Sequence, residues 1–335
     1  MECIDKKNNL PGFILGRDSV IQTEKSVQIH FAGKRQVLSS SPFNGGYRDD
    51  LDCVFNFDEI PECGYNCSMR APTYEEHLKI IASELGINPC TSAGLSTAVQ
   101  MTSAVYRCEE YKGLKAEAIV TGGIEVNGGR AGDAASWDER DFSYDNYDSE
   151  EWEHKPGTIN IMLAVNAKLS EGAMTKAVIT ATEAKTAAIQ ELAAPSCYSE
   201  GIATGSGTDG IILICDAESD VYLTDAGQHS KLGELIGKAI IPALKESMYL
   251  QTGICRESQH NVSERLKRFG ITEEKIKEFF KEKYDAEESE YEKLMTDDEN
   301  VVKAVLYAHI LDEMNWNLLT EEEGRAMLKR IEEMK

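Results

Sequence analysis

Two short apolar runs, TINIMLAV at residues 158–165 and GIILIC at residues 210–215, bracket a stretch, residues 170–192, whose apolar and small side chains recur every three or four positions. Short runs of branched apolar residues without polar alternation read as strands covered on both faces, and a 3.6-residue period reads as a helix. Strand, helix, strand in that order calls for a layered α/β protein with sheet and helix packed on one another. Around this unit the pattern predicts a buried strand over residues 115–121 (KAEAIVT), a helix over 74–85 that stops at Gly86 ahead of Pro89, and a helical run from Lys231 onward. Residues 27–38 read as two short strands or a hairpin, and residues 91–111, built of small side chains, as a second helical stretch. Acidic residues 138–153 have no apolar period and read as a surface loop or insertion. A boundary near Gly253 separates a main domain, residues 1–252, from a charged helical C-terminal extension, residues 253–335. That extension has breaks near Gly270 and Asp297, and its most core-like stretch is residues 301–311.

Charge narrows the partners. The 335 residues carry 58 acidic and 35 basic side chains, a formal net charge of -23. Such a surface repels a phosphate backbone and is a poor match for anionic membranes, so neither nucleic acid nor membrane is expected as a partner. No apolar run approaches the roughly 20 residues of a membrane helix, and residues 1–10 hold charged and amide side chains where a secretion signal carries its apolar stretch. Nine scattered cysteines, an odd number, fit free thiols in a reducing, cytoplasmic setting. Cys63 and Cys67 lack a second pair of ligands, so no protein metal site is expected.

Four constellations combine glycine with hydroxyl, amide or acidic groups at strand ends. Asn44-Gly45-Gly46 suits a turn as well as a ligand contact. Thr121-Gly122-Gly123, followed by Asn127-Gly128-Gly129-Arg130-Ala131-Gly132-Asp133, carries more glycine than a turn needs; backbone N–H groups there could approach a ligand, with the Asn127 amide as a further donor. Gly157-Thr158 stands at the mouth of the TINIMLAV strand. A threonine hydroxyl becomes a nucleophile only with an adjoining base, and its own α-amine can serve once the preceding peptide bond is cut, as in a self-processing hydrolase. The fourth comprises Glu183 and Lys185, which point apart on the helix, the loop Ala203-Thr204-Gly205-Ser206-Gly207-Thr208-Asp209-Gly210, and His229-Ser230-Lys231. The loop also suits anion binding or a hairpin, and His229 either a polar contact or a base.

At these residues the chain resembles a known family. GTINIMLAVNAKLSEGAMTKAVITATEAKTAAIQEL, ATGSGTDGIIL and GQHSKLGELIG, with RAGDAASW and SSPFNGG, are similar to the adenosylcobinamide amidohydrolases over about residues 27–241. The resemblance implies hydrolysis of the amide that joins aminopropanol to the corrin ring, giving adenosylcobyric acid, a corrinoid salvage step of cobalamin (coenzyme B12) biosynthesis. It implies a corrinoid as the small-molecule partner and no cofactor, cobalt arriving only within the substrate; a homo-oligomer stays open. A more distant likeness, to self-processing aminopeptidases and ornithine acetyltransferases, implies Thr158 as nucleophile, Asn127 as oxyanion donor, and Ser206 with Asp209 as partners of the Thr158 amine.

If water attacks instead, Asp209, Glu183 or His229 becomes the base. Substrate contacts are expected from Asn44, Gly45, Gly46, Gly122, Gly123, Arg130, Asp133, Lys185, Thr204, Thr208 and Lys231. Two other readings remain at this stage: a non-catalytic corrinoid carrier or sensor, and an amidase or acyltransferase acting on another amide.

Overall fold

The computed structural model describes residues 10–60, 69–135, 157–285 and 287–334. In chain order it contains β1 (Phe13–Ile14), β2 (Asp18–Gln22), β3 (Ser26–His30), β4 (Arg35–Ser39), β5 (Gly46–Arg48), β6 (Cys53–Asp58), α1 (Tyr74–Glu84), β7 (Ser92–Thr97), β8 (Val105–Tyr111) and β9 (Leu114–Gly123). There follow β10 (Gly128–Gly129), β11 (Thr158–Val165), β12 (Lys168–Leu169), α2 (Glu171–Glu191), β13 (Gly205–Ser206), β14 (Gly210–Asp216), β15 (Tyr222–Leu223) and α3 (Lys231–Thr252). One sheet has the order β1-β2-β3-β6-β7 and a second the order β5-β4-β14-β11-β9-β8.

The alternation of side chains along each strand stacks the layers. In β11, Ile159, Ile161, Leu163 and Val165 pack with α2 and α3, while Met162 and Ala164 face Val27, Ile29, Val54 and Leu95 of the first sheet. The far side of that first sheet, through Phe55 and Phe57, packs on Leu78, Ile81 and Ala82 of α1. The result is a four-layer sandwich, helix, sheet, sheet, helices, an α/β protein as the sequence pattern requires. The strand–helix–strand unit forms as read: β11 and β14 lie side by side in parallel, with α2 as the crossover between them. Ser170 caps α2 by accepting from the Ala173 N–H.

One expectation needs correction. Residues 91–111 do not form a helix; they form β7, a short 3₁₀ turn at Met101–Ser103, and β8. The small side chains do serve close packing, but of a strand: a Cβ on Gly94 would run into the Phe55 ring. Residues 27–38 form the two short strands of the first alternative; the hairpin alternative falls away because β3 and β4 lie in different sheets. They meet across the core, where Val27, Ile29 and Val37 share one cluster. Buried Arg35 joins the layers there, with a two-pronged contact to Asp18 of β2 (both 2.7 Å) and a third bond to Asp216 of β14 (2.9 Å).

Gly253, with φ 78°, ends α3. Beyond it lie α4 (Arg256–Gln259), α5 (Val262–Leu266), α6 (Glu273–Tyr284), α7 (Tyr291–Thr296), α8 (Asp298–Asn315) and α9 (Glu321–Glu332). They enclose a core of their own that includes Val262, Phe280, Val301 and Ala304. Gly270 (φ 68°) and extended Asp297 interrupt the helices where the sequence indicated. Val302, Val305 and Leu306, inside the stretch read as core-like, point outward instead. The extension is tied to the main domain at Glu200, whose carboxylate accepts from Asn315 at 2.8 Å. No helix among the described residues is long and apolar enough to cross a membrane. The acidic stretch 138–153, Cys63 and Cys67 lie outside the described residues.

Candidate active site

At one edge of the second sheet β11 and β14 both begin and β9 ends, Thr158 pairing with Gly123 and Asn160 with Gly210. The period-2 alternation that sends Ile159 toward the helices sends Thr158 and Asn160 to the opposite face. Buried Asn160 donates to Asn56 Oδ1 (2.8 Å) and to the Ser96 carbonyl (2.9 Å), and Asn56 in turn donates to the Thr121 hydroxyl (2.9 Å). This polar chain crosses between the sheets beneath the site. The sequence reading passed over Asn56 and Asn160; the signal was an asparagine inside each of two otherwise apolar runs, VFNFD and TINIML.

Two loops close over the strand ends. The turn after β9, held by the Gly128 N–H to Ile124 carbonyl bond (2.7 Å), buries the Asn127 side chain. β10 then pairs with β13, Gly128 opposite Ser206, which draws the ATGSGTDG loop alongside. Around the Gly157 carbonyl three donors gather: the Asn127 amide, the Thr208 hydroxyl at 3.1 Å and the Thr158 hydroxyl at 2.7 Å. The Thr158 and Thr208 hydroxyls are themselves 2.7 Å apart. Among the described residues, Asn127 Oδ1 is buried with no hydrogen-bond partner.

Asp209 organises the rest. Its carboxylate accepts the Ile159 N–H (3.0 Å), the Ser206 N–H (3.0 Å) and the Ser206 hydroxyl (2.7 Å), and pairs with the Lys185 ammonium. Lys185 sits on the buried face of α2, 8% exposed, where an unpaired charge would be costly. Gly205 leaves room for this pair, because a Cβ there would displace both Asp209 Oδ2 and the lysine amine. Ser206 Oγ lies 3.3 Å from Thr208 Oγ1, so a run of hydroxyls links Thr158 through Thr208 and Ser206 to the Asp209 carboxylate. A nucleophilic hydroxyl, a proton acceptor and donors aimed at a carbonyl oxygen are the parts that acyl transfer needs.

Thr158, Asn127, Asp209, Ser206, Lys185 and Thr208, all singled out in the sequence, thus come together. Thr204 adjoins them, its hydroxyl accepting the Ala131 N–H at 2.8 Å. Arg130 and Asp133 lie one turn further out, on an open groove of about 300 Å³ whose far wall includes Trp316 of the extension. Partial burial pushes the Asp133 carboxyl up, yet hydrogen bonds from Ser199, the Arg130 N–H and Ser196 outweigh it and hold the group below the usual range.

The other candidates lie elsewhere. Exposed Glu183 accepts from Gln228 at 2.5 Å. His229 and Lys231 stand at the start of α3, whereas Leu244 and Met248 of that helix touch the site edge at Gly122, roughly 20–25 Å along the axis at 1.5 Å per residue. His229 cannot partner Asp209; Lys185 does so instead. Gly122 and Gly123 are covered by α3, so their missing side chains serve helix-on-sheet packing and open no path to a ligand. The Asn44 amide is spent on the Pro89 and Ser92 carbonyls (both 2.7 Å). Asn44, Gly45 and Gly46 therefore sit at the far end of β7, about 13 Å along the strand from Ser96. Among the described residues no group of three or more His, Cys, Asp or Glu side chains is placed to hold a metal ion.

The sequence model of the family described as adenosylcobinamide amidohydrolase matches residues 14–256. An uncharacterized protein of Methanocaldococcus jannaschii is 34% identical over 247 residues, 71% of this chain and 91% of its own. The adenosylcobinamide amidohydrolase of Methanosarcina mazei is 29% identical over 220 residues, 63% of this chain and 90% of its own. Among solved structures, a Pyrococcus horikoshii protein aligns with a TM-score of 0.34 and 13% identity, over 70% of this chain and 79% of its own.

Proposed function

The chain belongs to the adenosylcobinamide amidohydrolase family, hydrolases of an amide carbon–nitrogen bond, and from that membership we propose that it releases aminopropanol from adenosylcobinamide and leaves adenosylcobyric acid. The reaction serves corrinoid salvage, and the substrate brings its own cobalt. The observation that carries the reading is the convergence of the Asn127 amide and the Thr208 hydroxyl on one carbonyl oxygen beside the Thr158 hydroxyl. A substrate amide held with its oxygen at that point is met by both groups; as the Thr208 proton is drawn into the relay, the Asn127 amide stays as donor to the oxyanion of the tetrahedral intermediate, a contact worth about 10²–10³ in rate.

In this reading Thr158 Oγ adds to the amide carbon, and its proton passes along the hydroxyls of Thr208 and Ser206 toward Asp209. The carbon–nitrogen bond breaks, aminopropanol leaves carrying a proton, and water hydrolyses the ester left on Thr158. Lys185 fixes the Asp209 carboxylate from behind. Residues 1–252 carry the reaction, and Arg130, Asp133 and Thr204 line the approach. Incubating the purified chain with adenosylcobinamide and measuring free aminopropanol tests the proposal. Corrinoid binding without release would make the chain a carrier; release from unrelated amides but not from adenosylcobinamide would remove the corrinoid from the reading.

A further inference from the structure

The carbonyl that fills the donor site belongs to the chain itself. Gly157 C=O accepts from Asn127 and Thr208 while the hydroxyl of the very next residue, Thr158, lies 2.7 Å from the same oxygen. Stabilisation of this kind is what an enzyme offers an amide it is about to break, and here the amide so held is the Gly157–Thr158 peptide bond. Two features single the bond out. A Cβ at residue 157 would run into the Asn127 carboxamide and come within 2.8 Å of the Gly123 carbonyl oxygen, so only glycine brings its carbonyl this far in. The Ile159 N–H, one residue beyond, is gripped by Asp209 at 3.0 Å, which holds the start of β11 while the peptide ahead of it changes.

We infer that the chain cuts itself between Gly157 and Thr158 and that the cut completes the active site. Thr158 Oγ adds to the Gly157 carbonyl carbon through a five-membered ring, and its proton moves along Thr208 and Ser206 to Asp209. Each hydroxyl carries a single proton, so Thr208 passes its own to Ser206 as it takes that of Thr158, and Asn127 remains the donor to the oxyanion. The Gly157–Thr158 carbon–nitrogen bond then breaks with protonation of nitrogen, which leaves Gly157 as an ester on Thr158. Water hydrolyses that ester to a Gly157 carboxylate, a free Thr158 hydroxyl and a new α-amine. The cut vacates the carbonyl position for a substrate amide. It also supplies an amine that titrates near neutrality, at about 7.7–8.0 in an unperturbed chain, suited to act as base toward the neighbouring hydroxyl.

The inference deepens the amide-hydrolysis reading and rests on it for the purpose of the cut, while the cut itself is read separately. Intact-mass measurement and N-terminal sequencing of the purified full chain should find one fragment ending at Gly157 and one beginning with Thr158. Thr158→Ala should stay whole, with an unchanged circular dichroism spectrum as the folding control; Thr158→Ser should still cut; Asn127→Ala should cut at least about 10²-fold more slowly. A wild-type chain that remains a single polypeptide through prolonged incubation overturns the inference, and so does cutting of Thr158→Ala. Aminopropanol release, followed on the same samples, separates the two claims: release by a whole chain defeats self-cutting and leaves the amidohydrolase reading standing, whereas a cut chain inert toward adenosylcobinamide does the reverse.

Discussion

The hydroxyls of Thr158 and Thr208 lie 2.7 Å apart although 50 residues separate them in sequence. Their meeting follows from the parallel pairing of β11 and β14, which starts both strands at the same edge. Each group at that edge makes a separate, measurable demand on activity.

Replacing Asp209 by Asn removes the proton acceptor at the end of the hydroxyl run and leaves buried Lys185 without its counter-charge. Turnover should fall by about 10²–10⁴. Initial rates of aminopropanol release, with thermal melts alongside to register the loss of the ion pair, check it.

Asn127 offers an amide to a carbonyl oxygen and takes no other part in the chemistry. The Asn127→Ala variant should lose about 10²–10³ in kcat with little change in KM, the mark of a contact that matters most in the transition state. An equal fall in affinity with kcat preserved would show that it merely holds substrate.

Arg35 is a stability question. Its guanidinium and Asp18 are both fully buried, and the fork joins the two sheets. Arg35→Met strands a carboxylate in the core and should cost about 3–5 kcal/mol, whereas Arg35→Met with Asp18→Leu should regain much of that loss. Urea unfolding midpoints of the single and double variants measure the difference.

Thiol chemistry reports the layering. Burial pushes the Cys53 thiol up to about 12, and Cys215 rises for the same reason, whereas Cys90 is exposed. At pH 8 only about one Cys53 in 10⁴ is thiolate, the reactive form. A thiol-specific reagent should therefore label Cys90 in the folded chain and reach Cys53 and Cys215 only in denaturant. Because the folded value lies above the unfolded one, the contribution of Cys53 to stability is complete below pH 9 and drains away as pH climbs toward 12. Melting temperatures across that range, compared with Cys53→Ala, isolate it.

Much of this was legible in the sequence, and the exceptions have physical causes. The apolar runs of β11 and β14 and the period of α2 announced the crossover unit, because burial on both faces leaves a strand little freedom of composition. Residues 91–111 misled, since small side chains suit a tight helix and a strand beneath Phe55 equally well, and only the neighbour decides. The Gly122-Gly123 pair at the end of β9 misled in the same way, its openness being taken up by α3. Thr158, Asn127, Ser206 and Asp209 could be picked out because hydroxyl, amide and acid beside glycine at strand ends are an unusual expense for a fold. His229 looked equally suitable; its distance is set by the length of α3, which no local pattern encodes. Lys185 could be located, but that it partners Asp209 depends on how α2 lies across the sheet.

That dependence has a consequence for how the enzyme fails. The amine on the underside of α2 and the carboxylate beyond β13 are joined only while the helix stays docked. A partial lifting of α2, well short of global melting, would dismantle the proton acceptor, so inactivation on warming should run ahead of any loss of the sheets.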